Sequence, residues 1–97
     1  MKQPKARILV VEDDSALLNG LLDVLVFNGY EAQGAPDGRQ GLKSGLEAQF
    51  DLILLDVMLP GVDGFTICKE IRKKKPNQGI IMITAKGSED DIVTGLV

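Results

Sequence analysis

Three short stretches of the chain are dominated by isoleucine, valine and leucine. They are RILVV at 7–11, DLILLDV at 51–57 and GIIMITA at 79–85. Continuous apolar runs of this length are typical of strands that are buried on both faces in a parallel sheet. The segment YEAQGA at 30–35 predicts a further short strand, the second in chain order, so that the runs at 51–57 and 79–85 become the third and fourth.

Two helices are predicted in the first half of the chain. The first begins at Asp14 or Ser15, because leucines recur on one face at 17, 18, 21, 22 and 25, and Gly29 then follows as a C-terminal cap. The second begins after Asp37. It is predicted to be weak, because two internal glycines each cost roughly 1 kcal/mol relative to alanine. These glycines are Gly41 and Gly45.

Two further helices are predicted in the second half. DGFTICKEIRKKK at 63–75 ends before Pro76, and its apolar face is predicted to contain Phe65, Cys68 and Ile71. Ser88 and Asp91 resemble a capping box, with acidic residues in the first turn of a helix that continues to Val97.

The alternation of strands and helices predicts one α/β domain over residues 1–97, because it requires right-handed crossovers around a parallel sheet. In doubly wound sheets of this kind, ligands bind beyond the carboxyl ends of the strands. The residues that follow the predicted strands are therefore the first candidates for a functional site.

Composition narrows the class of partner. The net charge of −3 gives no general reason to expect nucleic acid binding, and the one basic run, at 72–75, is interpreted as the last turn of a helix.

Cys68 is the only cysteine, which excludes an internal disulfide and is consistent with a reducing compartment. Glu12 ends the first apolar run far below the length of a signal peptide or membrane span. We therefore expect a cytoplasmic protein.

Four oxygen-bearing residues come at predicted strand ends. Glu12 and Asp13 follow the first strand, Asp56 ends the third, and Thr84 ends the fourth. Close carboxylates repel one another by roughly 1 to 4 kcal/mol per pair, and a divalent cation removes this repulsion. Because the chain has no histidine and a single cysteine, the oxygen ligands favour Mg²⁺ or Mn²⁺ over Zn²⁺.

The same residues resemble those of a known family. LVVEDD at 9–14, LLDVMLPGVDG at 54–64 and ITA at 83–85 are similar, in order and separation, to motifs of the receiver domain of two-component response regulators. The similarity extends from about Arg7 to Val97. It implies a flavodoxin-like receiver fold with strand order 2-1-3-4, three full helices and part of a fourth.

The resemblance also implies roles for individual residues. Asp56 matches the aspartate that accepts a phosphoryl group and also ligates the metal. Asp13 matches the second carboxylate ligand, the backbone carbonyl of Met58 matches a third ligand, and Glu12 takes an outer or water-mediated position. The phosphoryl donor would be a sensor histidine kinase or a histidine phosphotransfer protein. The domain would be a phosphoacceptor, and at most it would catalyse its own phosphorylation and dephosphorylation.

The remaining motif residues separate into two groups. Thr84 matches the hydroxyl residue that senses the phosphoryl group, and Ala85 matches the small residue that leaves room for it. Asp14, Ser15 and Asp63 are instead interpreted as helix caps.

The chain departs from the family pattern at its C-terminal end. Receiver domains have a fifth strand with a lysine and an aromatic switch residue, followed by a fifth helix, and Lys86 does not replace that lysine. We therefore expect an incomplete domain with impaired phosphoryl transfer. If the strand at 80–84 lies at the sheet edge, we also expect self-association through that strand, or marginal stability.

Two other functions stay open at this point. One is a binding or assembly module that keeps a remnant acidic site without chemistry. The other is a phosphotransferase of the haloacid dehalogenase type. That family resembles this chain less, because it requires a second aspartate two residues after the nucleophile, and here that position is Met58.

Overall fold

The computed structural model describes residues 5–83 in full and the backbone of residues 95 and 96. In chain order the elements are β1 (Arg7–Val11), α1 (Ser15–Phe27), β2 (Glu31–Ala35), α2 (Gly38–Glu47), β3 (Leu52–Asp56), α3 (Gly64–Lys74), β4 (Gly79–Ile83) and β5 (Gly95–Leu96). The four strands and three full helices predicted from the sequence are confirmed. Most of the fourth helix, predicted from Ser88 to Val97, lies outside the described residues. At Gly95 and Leu96 the helix prediction is wrong, because these two residues form β5 and pair with β4.

The sheet has the order β2-β1-β3-β4-β5, and the first four strands are parallel. The predicted order 2-1-3-4 is therefore confirmed. β5 pairs antiparallel with β4, with Ile81 opposite Leu96 and Met82 opposite Gly95. At these two residues the expectation that β4 forms an open sheet edge is wrong, because the backbone of β4 already has a partner there.

The two faces of the sheet differ in how completely they are buried. The face toward α2 and α3 carries the larger core cluster, in which Leu9, Ile53, Leu55 and Ile80 are inaccessible to solvent. The face toward α1 carries the smaller cluster of Ile8, Val10 and Leu18. On this second face Leu54 and its register partner Ile81 are only half-buried. The main hydrophobic core therefore lies on the α2 and α3 side.

An aspartate immediately precedes and caps each of the helices α1, α2 and α3. Asp14, Asp37 and Asp63 each accept a hydrogen bond from a backbone N–H in the first turn of the helix that follows. This confirms Asp14 and Asp63 as caps, whereas Ser15 is the first residue of α1. Gly29 comes after the end of α1 with φ 93°, a conformation that glycine adopts without strain. Among the described residues, no helix combines the length and apolar character needed to span a membrane.

The glycines of α2 have a packing role that the sequence pattern did not reveal. A Cβ at Gly41 would lie 2.6 Å from Cγ1 of Val11, and a Cβ at Gly45 would lie 2.7 Å from Cδ1 of Ile71. The end of the helix is also stabilised by Lys75, whose Nζ donates to the carbonyls of Gly45 and Ala48 at 2.9 and 2.6 Å. The glycines lower intrinsic helix stability, but they let α2 lie directly against β1 and α3.

The buried face of α3 differs from the prediction at one residue. Cys68 and Ile71 are buried as expected, together with Ile67, but Phe65 is 58% exposed. Gly64 takes the buried position at the start of the helix, where α3 meets the backbone of β3. The assignment of Phe65 to the core was therefore wrong, and this phenylalanine belongs to the surface beside the end of β3.

Candidate functional site

The sheet register places the acidic residues together. Val11 of β1 is paired with Leu55 of β3, so the residues that follow, Glu12 and Asp56, leave adjacent strands at the same edge. Each of Glu12, Asp13 and Asp56 offers a carboxylate oxygen within 4.8 Å of the others. The structure thus brings together the three carboxylates that the sequence singled out.

The cluster is largely shielded from water. Glu12 is 3% exposed and Asp56 is 2% exposed, while Asp13 is half-buried. The Oδ1 atom of Asp13 is buried and has no hydrogen-bond partner among the residues that the structure describes. A buried carboxylate oxygen without a partner is costly, and a bound cation would satisfy it.

Backbone N–H groups hold two of the carboxylates in place. Oδ1 of Asp56 accepts a hydrogen bond of 2.9 Å from the N–H of Met58, and Oε2 of Glu12 accepts one of 3.0 Å from the N–H of Asp14. Each bond joins residues two positions apart, which is the pattern of a side chain that closes its own turn. These contacts restrict the rotation of the carboxylates and hold each group in a defined orientation.

The carboxyl groups of the cluster lie close enough together to affect one another's protonation. Burial raises the pKa of Glu12 from its ordinary value of 4.5 to about 7, opposed by the hydrogen bond from the Asp14 N–H and reinforced by the nearby charge of Asp56. Without a counterion, the cluster therefore retains a proton near neutral pH. A divalent cation would replace that proton and offset the repulsion.

The donor set fits a hard divalent cation. Carboxylate and carbonyl oxygens suit Mg²⁺ or Mn²⁺, and the unpartnered Oδ1 of Asp13 is an available ligand atom within the cluster. Asp56 keeps its Oδ2 atom free of the Met58 hydrogen bond. One aspartate can thus be held by one oxygen and react through the other.

Two of the predicted site residues, Thr84 and Ala85, lie outside the described residues. The strand that leads to them is described, and its last residue, Ile83, is the register partner of Asp56. The carbonyl of Ile83 also accepts a hydrogen bond of 2.8 Å from the N–H of Val57. The chain therefore leaves β4 directly beside the carboxylate cluster.

The sequence analysis missed the contributions of backbone groups. The hydrogen bonds from the N–H groups of Met58 and Asp14 could not be read from residue types, although an aspartate before a loop with proline and glycine favours such a turn. The side chain of Met58 does not join the cluster in the way the acids do, because it is 54% exposed.

An apolar surface adjoins the end of β3. Met58, Val62 and Phe65, here called the loop patch, are 54%, 37% and 58% exposed. A surface cavity of about 490 Å³ lies beside two of them and is lined by Val57, Met58, Leu59, Pro60, Asp63 and Phe65. Large exposed apolar side chains next to a functional site are typical of surfaces that contact another protein.

Comparison with known proteins agrees with this geometry. The family model of the response regulator receiver domain matches residues 8–97. The transcriptional regulatory protein ResD of Bacillus subtilis is 44% identical over 91 residues, which cover 94% of this chain and 38% of ResD. This chain therefore spans less than half the length of that relative.

Solved structures show the same likeness. The response regulator protein TrrA of Thermotoga maritima in complex with Mg²⁺-BeF has a TM-score of 0.79 at 40% identity, over 84% of this chain and 70% of that one. The receiver domain of the sensor histidine kinase PA1611 of Pseudomonas aeruginosa, with a magnesium ion in its active site cleft, has a TM-score of 0.79 at 32% identity. That alignment covers 89% of this chain and 72% of the other.

Proposed function

Because the chain belongs to the receiver domains of two-component response regulators, we propose that Asp56 accepts a phosphoryl group from a phosphohistidine on a partner protein. The observation that carries this proposal is the buried cluster of Glu12, Asp13 and Asp56 at the ends of β1 and β3. Asp56 is the member of the cluster that ends the central strand β3 and has one oxygen fixed by a backbone N–H.

The proposed transfer uses the two oxygens of Asp56 differently. The Met58 N–H holds Oδ1, and Oδ2 attacks phosphorus in line with the leaving imidazole nitrogen. The oxygen–phosphorus bond forms as the phosphorus–nitrogen bond breaks, and the imidazole keeps the electron pair of that bond. The product is an aspartyl phosphate, an acyl phosphate that water can hydrolyse.

The metal would be held by residues of the same cluster. Asp13 and Asp56 are the proposed carboxylate ligands, with the backbone carbonyl of Met58 as the third protein ligand and Glu12 acting through water. Mg²⁺, or Mn²⁺ in its place, supplies positive charge that offsets the negative charge of the carboxylates and the phosphoryl oxygens. The unpartnered Oδ1 of Asp13 supports this assignment.

Thr84 and Ala85 are proposed to read the phosphorylated state. They directly follow Ile83 in the sequence, and Ile83 is the register partner of Asp56. Phosphorylation adds close to two negative charges, and a hydroxyl that binds them would shift the loop after β4.

The proposed partner is a sensor histidine kinase or a histidine phosphotransfer protein. Any protein that brings a phosphohistidine to Asp56 must cover the surface around the end of β3, where the loop patch exposes Met58, Val62 and Phe65. A partner with an apolar surface beside its histidine fits these residues. Self-association through β4 has less support, because Ile81 and Met82 already pair with β5.

The output of the signal is a separate proposal. ResD and other relatives are named as transcriptional regulators, and this chain matches 38% of the length of ResD. We propose that phosphorylation of this domain likewise controls transcription, with DNA contacts made by another part of the regulator. The domain itself would act as a signalling switch and not as an enzyme that turns over a free substrate.

Incubation with acetyl phosphate and Mg²⁺, followed by intact-mass measurement, tests the proposal against the other two functions. We expect addition of one phosphoryl group that requires Mg²⁺ and disappears in Asp56→Asn. Turnover of free phosphomonoesters would favour the haloacid dehalogenase type, which the family match does not support. The absence of any Mg²⁺-dependent mass change would favour a binding module with a remnant acidic site.

A further inference from the structure

We infer that Gly64 is a positioning residue for Asp56, and that it acts by leaving out a side chain. A Cβ at Gly64 would collide with the carbonyl oxygen of Asp56 and would lie 3.0 Å from Cα of Val57 and 3.1 Å from the carbonyl carbon of Asp56. All three obstacles are backbone atoms, so no side-chain rotation could relieve the contact. The inference rests on the proposed role of Asp56 as phosphoacceptor.

The start of α3 is fastened at this point. The N–H of Gly64 donates a hydrogen bond of 3.0 Å to the carbonyl of Val57, and Asp63 caps the helix through a hydrogen bond of 2.9 Å from the Thr66 N–H. One hydrogen bond thus caps the first turn of α3, and a second joins that turn to the peptide that follows Asp56. A side chain at position 64 could be accommodated only by moving the helix away from that peptide.

Such a movement would reach the carboxylate cluster. The backbone that a Cβ would displace leads directly into the Met58 N–H that holds Oδ1 of Asp56. It also carries the Asp56 side chain itself, whose oxygen lies within 4.8 Å of those of Glu12 and Asp13. Misplacement of this backbone would therefore weaken cation binding. It would also turn the nucleophilic Oδ2 of Asp56 away from the incoming phosphoryl group.

Position 64 requires glycine because there is no room for a side chain, and not because of its backbone conformation. Gly29 and Gly61 are the described glycines with positive φ, and Gly64 is not one of them. Gly61, at φ 82°, has open space where its Cβ would be. Gly64 shows the opposite combination. Any residue could adopt its backbone conformation, but the neighbouring backbone atoms leave no room for a Cβ.

A matched set of glycine variants separates positioning from stability. Gly64→Ala is compared with Gly45→Ala, whose Cβ would meet Cδ1 of Ile71 at 2.7 Å inside the core, away from the carboxylates. Both are placed in a Gly20→Ala background. Gly20 lies on the exposed side of α1 with nothing within 4 Å of its Cβ position, so alanine there should stabilise the fold by about 1 kcal/mol.

The readouts are the dissociation constant of Mg²⁺, measured by calorimetry, and the amide resonance of Met58 in the metal-free protein. In the Gly20→Ala background, we expect Gly64→Ala to weaken Mg²⁺ binding by about tenfold or more and to shift the Met58 amide. Gly45→Ala should lower the melting temperature and leave both readouts unchanged. Equal Mg²⁺ affinity in the two variants would overturn the inference.

Failure of Gly64→Ala to fold, where Gly45→Ala folds, would also overturn it, because Gly64 would then serve the fold as a whole. The proposed function is tested separately by the Gly20→Ala parent protein. If that protein binds no Mg²⁺, the phosphoacceptor proposal fails together with this inference. If it binds Mg²⁺ and Gly64→Ala binds equally well, only the inference about Gly64 fails.

Discussion

Val11 of β1 and Leu55 of β3 are register partners in neighbouring parallel strands. Because of this pairing, Glu12 and Asp56 leave the sheet side by side, and Asp13 follows within reach of both. A shift of one residue in the register would turn the side chains of β1 to the opposite face and separate the acids. The packing of two apolar strands therefore fixes the geometry of the polar site.

Mg²⁺ should raise the melting temperature of the protein. An ion that binds only the folded state stabilises it by about 2.7 kcal/mol when its concentration is a hundredfold above the dissociation constant. Asp13→Asn should abolish the shift, because it removes a charge from the unpartnered carboxylate. Asp23→Asn, at an exposed aspartate of α1, is the matched control and should keep it. A full Mg²⁺ shift in Asp13→Asn would place the cation elsewhere.

The contribution of Glu12 to the stability of the metal-free protein should fall as the pH rises from about 4.5 to about 7. The folded-state pKa of Glu12 is raised to about 7, so between its ordinary value of 4.5 and that pH the folded state binds more protons than the unfolded state. Its contribution to stability is complete below this range and is lost across it. The upper limit of the loss is of the order of 3 kcal/mol.

Chemical denaturation at a series of pH values measures this loss. Glu12→Gln should flatten the profile, because glutamine does not titrate, and saturating Mg²⁺ should flatten it in the native sequence. A metal-free profile that keeps its slope in Glu12→Gln would assign the titration to another group.

Asp56→Asn and Thr84→Ala should impair phosphorylation to different extents. The first removes the nucleophile and should eliminate labelling by acetyl phosphate. The second removes a hydroxyl that is proposed to bind the product, so labelling should be slowed but should still reach completion. Time courses of intact mass distinguish the two results. Complete loss of labelling in both variants would contradict this division of roles.

The loop patch should matter for a protein donor and not for a small one. Val62→Ser and Phe65→Ser each remove exposed apolar surface of the loop patch, so they should slow transfer from a phosphorylated histidine protein several-fold. Labelling by acetyl phosphate should be unchanged. Phe27→Ser is the control, because Phe27 is 89% exposed at the far end of α1. If the acetyl phosphate rate fell equally, the patch would serve the site and not the partner.

The sequence pattern was sufficient for the first four strands, for the three helices between them and for the acidic cluster. Apolar runs such as RILVV at 7–11 are typical of strands that are buried on both faces of a parallel sheet, and the carboxyl ends of parallel strands meet at one edge whatever the details of packing. For the same reason Glu12, Asp13 and Asp56 could be grouped without knowledge of any distance. The helix caps were equally local, since each aspartate bonds within its own turn.

Features that depend on close approach between elements could not be predicted in this way. Gly41 was interpreted only as a residue that weakens α2. Its packing role is to leave space for Val11, and this role could not be recognised because Val11 is distant in the sequence. Phe65 was assigned to the core because helical spacing alone does not show that Gly64 takes the buried position. The antiparallel pairing of β5 with β4 is likewise a contact between distant residues that no periodicity indicates.

The most direct test of the central claim is to locate the phosphoryl group after reaction with acetyl phosphate and Mg²⁺. Reduction with borohydride converts an aspartyl phosphate to homoserine, and peptide mapping then identifies the modified position. We predict homoserine at position 56, dependent on Mg²⁺, and unmodified aspartate at Asp13 and Asp63. Modification of a different aspartate, or modification at position 56 that proceeds equally well in the presence of a chelator, would contradict the proposed site.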